Sequence, residues 1–323
     1  MDKRNLLEAA SADRDLEKSR QNMREERRRP GRIEKISSNL ISILRGSALV
    51  GPAVSDAEPS QNEQLVALST ATRNGCVACR AGAQIFPFTM AFQPIVDLQN
   101  NRIDAYEALV RGPGAESAGH VLNQVNSENI YNFDQACRVK AIELAAHLGM
   151  DRQLSINFLP NAVYDPHACI QATLKAAART GFRLDHLTFE ILESEAITDT
   201  KKLLNIIKEY RKYGFKIALD DFGTGFSGLA RLAELRPDVI KIDRTLAKDC
   251  DKDSNRLAIL SGMIRIGAEI GVKVVIEGVE RAEEVEALRS IGTRFIQGFY
   301  FARPLFENIA RDAEISWLGS KGL

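Results

Sequence analysis

Six polar residues that suit binding of hard cations stand at the downstream ends of short apolar runs in the sequence. They are five carboxylates and one amide: Glu107, Asn157, Glu190, Asp220, Asp221 and Glu277. If the runs are parallel strands of a barrel, their carboxyl ends open onto one face, and the six side chains meet there. Carboxylates gathered so closely repel one another unless cations bind between them. Because the set contains neither cysteine nor histidine, it favours Mg²⁺ or Mn²⁺ over zinc.

Lys241 lies inside the apolar run Val239–Ile242, where an ammonium group is costly to bury unless it meets an anion. Side chains alternate along a strand, so Lys241 points either into the barrel, near the predicted cation site, or to the opposite face. In the second case the lysine extends its charged end to solvent, and a catalytic role would move to Asp243. A glycine-rich loop at residues 221–228 can approach a ligand closely, although such a loop is a weak signal by itself.

The elements that would position these residues alternate regularly from residue 88 onward. Short apolar runs predict eight strands, at residues 90–96, 102–110, 154–157, 187–191, 216–220, 239–242, 273–276 and 295–299. Longer stretches predict helices at residues 134–148, 168–180, 201–213, 226–234, 255–270 and 282–291, most of them followed by a glycine that fits a left-handed helix end. The pattern predicts an α/β fold, a TIM-like (β/α)8 barrel. One strand is expected to be antiparallel, because the short turn at 99–101 joins the first two strands as a hairpin.

The composition excludes several classes of protein. Of the 323 residues, 45% are hydrophobic, which is enough for one barrel of about 250 residues with a full core and an extension. Basic and acidic side chains number 43 each, so no net positive charge predicts DNA or RNA binding. The sequence shows no apolar run of transmembrane length and no secretory signal, which favours a cytoplasmic protein. Five cysteines, an odd number at low density, are expected to be reduced.

Residues 1–75 predict a charged, weakly ordered leader and linker before a domain at residues 76–323. Segment 2–35 is crowded with charges of both signs, and segment 51–74 has no regular period. An apolar patch at 40–44, near the basic run 27–29, leaves contact with a membrane surface or a partner as an alternative. Cys76 and Cys79 form a lone C-x-x-C, which supplies at most two ligands of a zinc site, so free cysteines are the favoured interpretation.

Together, these residues resemble the EAL-domain family of cyclic-di-GMP phosphodiesterases over residues 90–304. The family is named for a tripeptide present here as Glu107-Ala108-Leu109. The other shared motifs are Gln93-Pro94-Ile95, Arg111, Asn157, Phe189-Glu190-Ile191-Leu192-Glu193, Asp220-Asp221-Phe222-Gly223-Thr224-Gly225, Lys241-Ile242-Asp243, Glu277-Gly278-Val279-Glu280 and Gln297-Gly298-Phe299. A tripeptide alone would mean little, but an ordered set at the expected places in the strand and helix pattern makes chance agreement very improbable.

The resemblance implies a role for each matched residue. A first divalent ion is bound by Glu107, Asn157, Glu190, Asp220 and Glu277, and Asp221 helps to bind a second. Lys241 acts on the attacking water, and Gln93, Arg111 and Gln297 contact the substrate. Glu193 supports the glycine-rich loop. Departures from the commonest family pattern occur at Leu192, Ile276 and residues 158–160, and none of them removes a metal ligand.

The activity that the resemblance implies is metal-dependent hydrolysis of cyclic-di-GMP to linear pGpG, which lowers the level of this second messenger in bacterial signalling. The implied enzyme uses two Mg²⁺ or Mn²⁺ ions and forms a homodimer. Three alternatives stay open. The first is a catalytically silent domain that senses cyclic-di-GMP and acts through a protein partner, the second is an unrelated metal-dependent barrel enzyme, and the third is a scaffold that acts through its charged leader.

Overall fold

The computed structural model describes residues 86–163, 165–193, 199–225 and 228–317. The predicted leader, together with Cys76 and Cys79, lies outside the described residues, as do two residues of the glycine-rich loop, Phe226 and Ser227. In the part of the chain that is described, no helix has both the length and the apolar character needed to cross a membrane.

Nine strands form one sheet in the described residues. They are β1 (Thr89–Asp97), β2 (Arg102–Arg111), β3 (Gln153–Asn157), β4 (Leu187–Leu192), β5 (Lys216–Phe222), β6 (Val239–Ile242), β7 (Lys273–Ile276), β8 (Phe295–Gln297) and β9 (Leu305–Phe306). The eight predicted strands are present, but β9 was not predicted because two residues are too few to show a pattern. β8 is shorter than predicted because the backbone then turns towards Val279, whose carbonyl oxygen accepts a hydrogen bond from the backbone N–H of Tyr300 at 3.1 Å.

The sheet closes into a barrel, as the sequence predicts. Strands β2 to β8 follow one another in order and run parallel, and β1 lies antiparallel between β8 and β2. The hairpin between β1 and β2 confirms the predicted antiparallel strand, with Asp97 opposite Arg102 at its closed end. The short β9 pairs antiparallel with the amino-terminal half of β1, at Ala91 and Phe92. The carboxyl ends of all seven parallel strands therefore open onto one face.

The helices surround this sheet. They are α1 (Ala118–Leu122), α2 (Ile130–His147), α3 (Pro166–Thr180), α4 (Thr200–Arg211), α5 (Gly228–Leu235), α6 (Arg244–Ala247), α7 (Ser254–Ile270) and α8 (Ala282–Ser290). The six predicted helices correspond to α2 to α5, α7 and α8, whereas the single-turn helices α1 and α6 were not predicted. Both α3 and α7 end at a glycine with positive φ, Gly181 at 74° and Gly271 at 73°, which confirms the expected left-handed helix ends.

The interior of the barrel is apolar at one end and charged at the other. Ala105 on β2 and Val275 on β7 belong to a small buried apolar cluster. Two residues further along the chain lie Glu107, on β2, and Glu277, which directly follows β7, and alternate side chains share one face of a strand. The larger core packs between the sheet and the helices. The barrel thus carries its acidic residues inward at the face where the strands end.

Candidate active site

A cleft of about 460 Å³ opens at the carboxyl ends of the parallel strands. Eight of the predicted site residues line it: Gln93, Glu107, Asn157, Asp220, Asp221, Lys241, Glu277 and Gln297. Glu190 is fully buried against Lys241 at the base of the cleft. Two predicted residues, Arg111 and Glu193, are not part of the cleft lining. The closed barrel therefore brings together side chains that are up to about two hundred positions apart in the sequence.

Lys241 points into the barrel, which decides between its two predicted orientations. Its Nζ atom lies close to four carboxylates: 2.8 Å from Glu277 Oε1, 2.9 Å from Glu190 Oε2, 3.0 Å from Asp220 Oδ1 and 3.3 Å from Glu107 Oε2. The lysine side chain is only 1% exposed. An ammonium group buried this deeply is stabilised by the surrounding negative charge, so Lys241 is a central part of the acidic cluster.

Asp243, the alternative candidate for the catalytic role, directly follows β6 and makes a different contact. Its Oδ1 accepts a hydrogen bond from the backbone N–H of Thr245 at 2.8 Å and caps the short helix α6. Asp243 also lines the cleft, but it forms no ion pair with Lys241. The geometry therefore places Lys241, and not Asp243, at the centre of the acidic cluster.

The buried carboxylates carry more negative charge than one ammonium group offsets. Burial raises the pKa of Glu190, Asp220 and Glu277, although Lys241 opposes the rise. Burial alone would lower the pKa of Lys241, but the neighbouring carboxylates outweigh it and hold this pKa well above its usual range. At the edge of the cluster, burial and the adjacent Asp220 raise the pKa of Asp221 to about 7. The cluster therefore favours the uptake of further positive charge.

Two overlapping groups of carboxylates have the spacing of cation ligands. Each group offers one oxygen per residue, all within 4.8 Å of one another: Glu107, Glu190 and Asp220 in the first, and Asp220, Asp221 and Glu277 in the second. Oε1 of Glu190 is buried and has no hydrogen-bond partner among the described residues, so it is available to a cation. These residues fit a divalent ion that prefers oxygen ligands, and the shared Asp220 can contact ions in both groups.

Three amide side chains lie around the carboxylates. Asn157 ends β3 and pairs with Glu190 in the register between β3 and β4. Gln297 donates a hydrogen bond from Nε2 to Glu107 Oε2 at 2.9 Å, and Gln93 lies opposite Glu107 in the register between β1 and β2. The structure therefore places all three amides next to the predicted ligands. Their individual roles, as a metal ligand for Asn157 and as substrate contacts for the glutamines, stay predictions.

Arg111 lies apart from the acidic cluster. It ends β2, four residues beyond Glu107, and it does not line the cleft. Its Nη1 donates a hydrogen bond to the carbonyl oxygen of Val110 at 2.7 Å, and burial lowers its pKa while Glu107 opposes this change. The predicted contact of Arg111 with a substrate stays a prediction.

Glu193 holds the glycine-rich loop in place. Its Oε2 accepts hydrogen bonds from the backbone N–H groups of Gly223 at 2.7 Å and Gly225 at 3.2 Å. A Cβ at Gly225 would approach Glu193 Oε1 to 2.8 Å, so a side chain there would force the Glu193 carboxylate to shift. Asp221, where the loop begins, has a φ of 53°, a conformation that residues other than glycine rarely adopt. The role of Glu193 in supporting the loop during function stays a prediction.

Seven further residues that line the cleft received no role from the sequence: Leu109, Leu192, Arg244, Gly278, Glu280, Gly298 and Phe299. Arg244 and Glu280 form an ion pair at the rim of the cleft. Six of the seven belong to the family motifs quoted above, so the sequence contained a signal for them. Arg244 had none, because nothing in its type or spacing distinguishes an arginine after a strand from an ordinary surface residue.

The raised pKa of Asp221 predicts how the metal-free protein responds to pH. The unfolded chain releases the Asp221 proton near its ordinary pKa of 3.8, whereas the folded protein keeps it until about 7. Between these pH values the folded state binds more protons, so the free energy of unfolding falls as the pH rises. We expect Asp221 to account for a loss on the order of 2 kcal/mol, since solvent screens part of its charge.

Thermal unfolding in the presence of a chelator, at about pH 5 and about pH 8, measures this dependence. Asp221→Asn should reduce the difference in melting temperature between the two pH values. Asp185→Asn is a suitable control, because Asp185 lies outside the cleft and its pKa is lowered by Arg183. An unchanged difference in the Asp221→Asn variant would contradict the assignment of the raised pKa to this residue.

The fold and the site together define a class of protein. The chain is a mixed (β/α)8 barrel with clustered carboxylates that can hold divalent cations at the carboxyl ends of its strands. Within this class, the sequence matches the family model of the EAL domain over residues 83–304, and the chain belongs to the EAL domain family. The resemblance predicted from the motifs is thereby confirmed.

Two solved structures illustrate the similarity. A standalone versatile EAL protein from Vibrio cholerae O395, in a form bound to cyclic-di-GMP, has 42% sequence identity and a TM-score of 0.70, covering 74% of this chain and all of that one. The manganese and cyclic-di-GMP complex of BlrP1 from Klebsiella pneumoniae has 35% identity and a TM-score of 0.67, covering 70% of this chain and 59% of that one. Both structures are complexes with the same cyclic dinucleotide.

Among curated proteins, the chain is 30% identical over 228 residues to the blue light- and temperature-regulated antirepressor BluF of Escherichia coli K12. It is 31% identical over 230 residues to the bifunctional diguanylate cyclase/cyclic di-GMP phosphodiesterase MucR of Pseudomonas aeruginosa. These matches cover 70% and 66% of this chain, but only 56% of BluF and 32% of MucR. The chain thus corresponds to part of each of these relatives.

Proposed function

We propose that this protein hydrolyses one phosphodiester bond of cyclic-di-GMP to give linear pGpG, with two Mg²⁺ or Mn²⁺ ions as cofactors. The observation that carries the proposal is the pair of carboxylate groups sharing Asp220, with Lys241 between them, at the base of a cleft of about 460 Å³. That volume lies within the usual range for small-molecule sites. The name of MucR and the cyclic-di-GMP complexes of the two solved relatives support the same substrate.

The proposed mechanism assigns the first ion to Glu107, Asn157, Glu190, Asp220 and Glu277, and the second to Asp220 and Asp221. When bound, divalent ions lower the pKa of water and offset the charge that develops on a phosphate during displacement. Hydrolysis adds one water molecule across one P–O bond, so the water loses a proton and the leaving sugar oxygen gains one. No covalent link between substrate and protein is required.

The side chains of the protein orient the reaction. The Lys241 ammonium, fixed by four carboxylates, is placed to hold the attacking water and to offset negative charge on the phosphate. In this proposal, Gln93 and Gln297 contact the substrate from β1 and β8. Arg111, at the end of β2, is the third residue proposed to contact the substrate. Glu193 keeps the glycine-rich loop, and with it Asp221, in position.

Incubation of the purified protein with cyclic-di-GMP and Mg²⁺ or Mn²⁺, followed by chromatographic separation of the products, tests the proposal. Linear pGpG that forms only when a divalent ion is present supports it. Addition of a chelator and use of the Glu107→Gln variant are the controls. If no pGpG forms with either ion, the proposal of hydrolysis is wrong.

The second candidate function is a sensor that binds cyclic-di-GMP without cleaving it and acts through a protein partner. The similarity to BluF, which is named an antirepressor, favours this candidate. The same assay separates the two functions, because a sensor binds the dinucleotide tightly and forms no product. The full set of carboxylates and the intact loop contacts of Glu193 are the reasons for preferring hydrolysis.

We expect that deletion of residues 1–75 leaves a folded protein that still cleaves the substrate. Every cleft residue lies downstream of this segment, and the family match begins at residue 83. The truncated protein should keep about half or more of the turnover of the full chain. Circular dichroism and the product assay check the result. An unfolded truncated protein would show that the predicted boundary at residue 76 is wrong.

The homodimer and the cytoplasmic location that the sequence favours stay predictions. Analytical ultracentrifugation of the purified chain determines its oligomeric state, and fractionation of the cells that produce it determines its location.

A further inference from the structure

A buried ion pair lies on α2, outside the barrel and behind the end of β3. Arg138 Nη2 is 2.6 Å from Asp134 Oδ2, and their side chains are 0% and 3% exposed. Neither residue lines the cleft, and neither has a role in the proposed mechanism. Such a pair is expensive to bury, and replacement by apolar residues of similar volume often costs no stability. The stability of the fold therefore gives little reason for charges at these positions.

The ion pair contacts the residues that directly follow Asn157. The second oxygen of the Asp134 carboxylate, Oδ1, accepts a hydrogen bond from the backbone N–H of Leu159 at 3.2 Å. The guanidinium carbon of Arg138 lies 5.3 Å from the centre of the Phe158 ring, which is a cation–π distance. Both residues after the predicted metal ligand are therefore held by the pair.

The same pair also reaches the strand that carries Glu190. The guanidinium carbon of Arg138 lies 5.9 Å from the centre of the Phe189 ring, and Phe158 and Phe189 pack with their ring centres 5.6 Å apart. Between the two strands, the backbone N–H of Phe158 donates a hydrogen bond to the carbonyl oxygen of Glu190 at 2.9 Å. The ends of β3 and β4 are thus linked to each other and to α2.

We propose that Asp134 is a positioning residue for the metal site: by accepting the Leu159 N–H, it fixes the extended backbone just beyond Asn157 and so aims Asn157 at the cation. Arg138 orients the Asp134 carboxylate through their ion pair. Ligand oxygens must lie within about 0.2 Å of their preferred distance to a metal, so a small shift of this segment weakens binding. The inference rests on the proposed function, since it requires that Asn157 binds a divalent ion.

Two double variants of the full chain separate positioning from stability. Asp134→Asn/Arg138→Met removes both charges but keeps an oxygen that can accept the Leu159 N–H. Asp134→Leu/Arg138→Met removes the charges and the acceptor. Titration with Mn²⁺, followed by electron paramagnetic resonance of the free ion, gives the affinity without any need for turnover. Thermal unfolding in a chelator gives the stability of each variant.

We expect the leucine variant to bind Mn²⁺ about tenfold more weakly than the asparagine variant, which should stay close to the wild-type affinity. The melting temperatures of the two metal-free variants should be similar. If the leucine variant fails to fold, Asp134→Ala/Arg138→Met replaces it in the comparison, because alanine also cannot accept the hydrogen bond. Equal Mn²⁺ affinities in the asparagine variant and the variant without an acceptor would overturn the inference.

Asn157→Ala distinguishes this failure from failure of the proposed function. If Asn157→Ala weakens Mn²⁺ binding and loss of the acceptor at position 134 does not, Asn157 is supported as a metal ligand and Asp134 has no positioning role. If the wild-type protein binds no Mn²⁺, or Asn157→Ala binds it as well as the wild type does, the assignment of Asn157 fails and the inference fails with it.

Discussion

Glu107→Gln is expected to reduce the hydrolysis of cyclic-di-GMP about 10³-fold or more while leaving the fold intact. Glu107 lies at the mouth of the barrel, where it accepts a hydrogen bond from Gln297 and lies 3.3 Å from the Lys241 ammonium. The amide has the same shape as the carboxylate, so packing is preserved. It lacks the negative charge, however, so the first ion loses one of its anionic ligands and the transition state loses the charge that this ion supplies. Glu107→Ala should have the same effect on turnover.

The measurement is turnover at several concentrations of Mn²⁺, with thermal unfolding of the same samples. Asp104→Asn is a matched control, because Asp104 lies on the same strand but pairs with Lys273 at the other end of the barrel. The control should keep turnover close to that of the wild type. Near wild-type turnover of Glu107→Gln at saturating metal would show that Glu107 is not part of the proposed site.

Lys241→Ala is expected to lower kcat about 10²-fold or more and to destabilise the metal-free protein by about 3 to 5 kcal/mol. Removing the ammonium leaves four carboxylates buried together with no positive charge among them. Loss of one partner from a buried ion pair strongly destabilises a protein, because the remaining charge is buried without compensation. Divalent ions offset the same negative charge, so saturating Mn²⁺ should restore most of the stability. It should not restore kcat, because the water would lose its orienting group.

Unfolding in urea with and without Mn²⁺, together with kcat, tests both parts of this prediction. Lys241→Arg should recover little activity, because a planar guanidinium cannot occupy the position of a compact ammonium between four carboxylates. Lys273→Ala, on the neighbouring strand β7, is the control for loss of a lysine that is paired outside the cleft. A Lys241→Ala variant with normal kcat and normal metal-free stability would contradict the central role of Lys241.

Much of the fold could be predicted from the sequence, because its signals are local. Apolar runs of four to nine residues specify the strands, and glycines such as Gly181 and Gly271 mark helix ends that other residues would strain. The short turn between β1 and β2 allows only an antiparallel connection. The members of the acidic cluster could be predicted as well, since parallel strands in a barrel place their carboxyl ends on one face.

The sequence by itself could not decide which way Lys241 faces. Alternation shows that Lys241 and its neighbour Ile242 point to opposite sides of β6, but it does not show which side is the interior. Only the closed ring of strands brings Glu107 from β2 and Glu277 from the end of β7 to the same ammonium.

The contacts behind the cleft were also decided by the tertiary structure alone. In the sequence, Asp134 and Arg138 have the four-residue spacing of an ordinary helical ion pair. Such pairs usually lie on the solvent-exposed surface of a helix. Packing of α2 against the ends of β3 and β4 buries the pair and brings it to Leu159 and Phe158. Residue types and local periods determine which groups are available to the site and on which strands they lie. Contacts between residues distant in sequence determine which of these groups meet, because they depend on how the whole barrel closes.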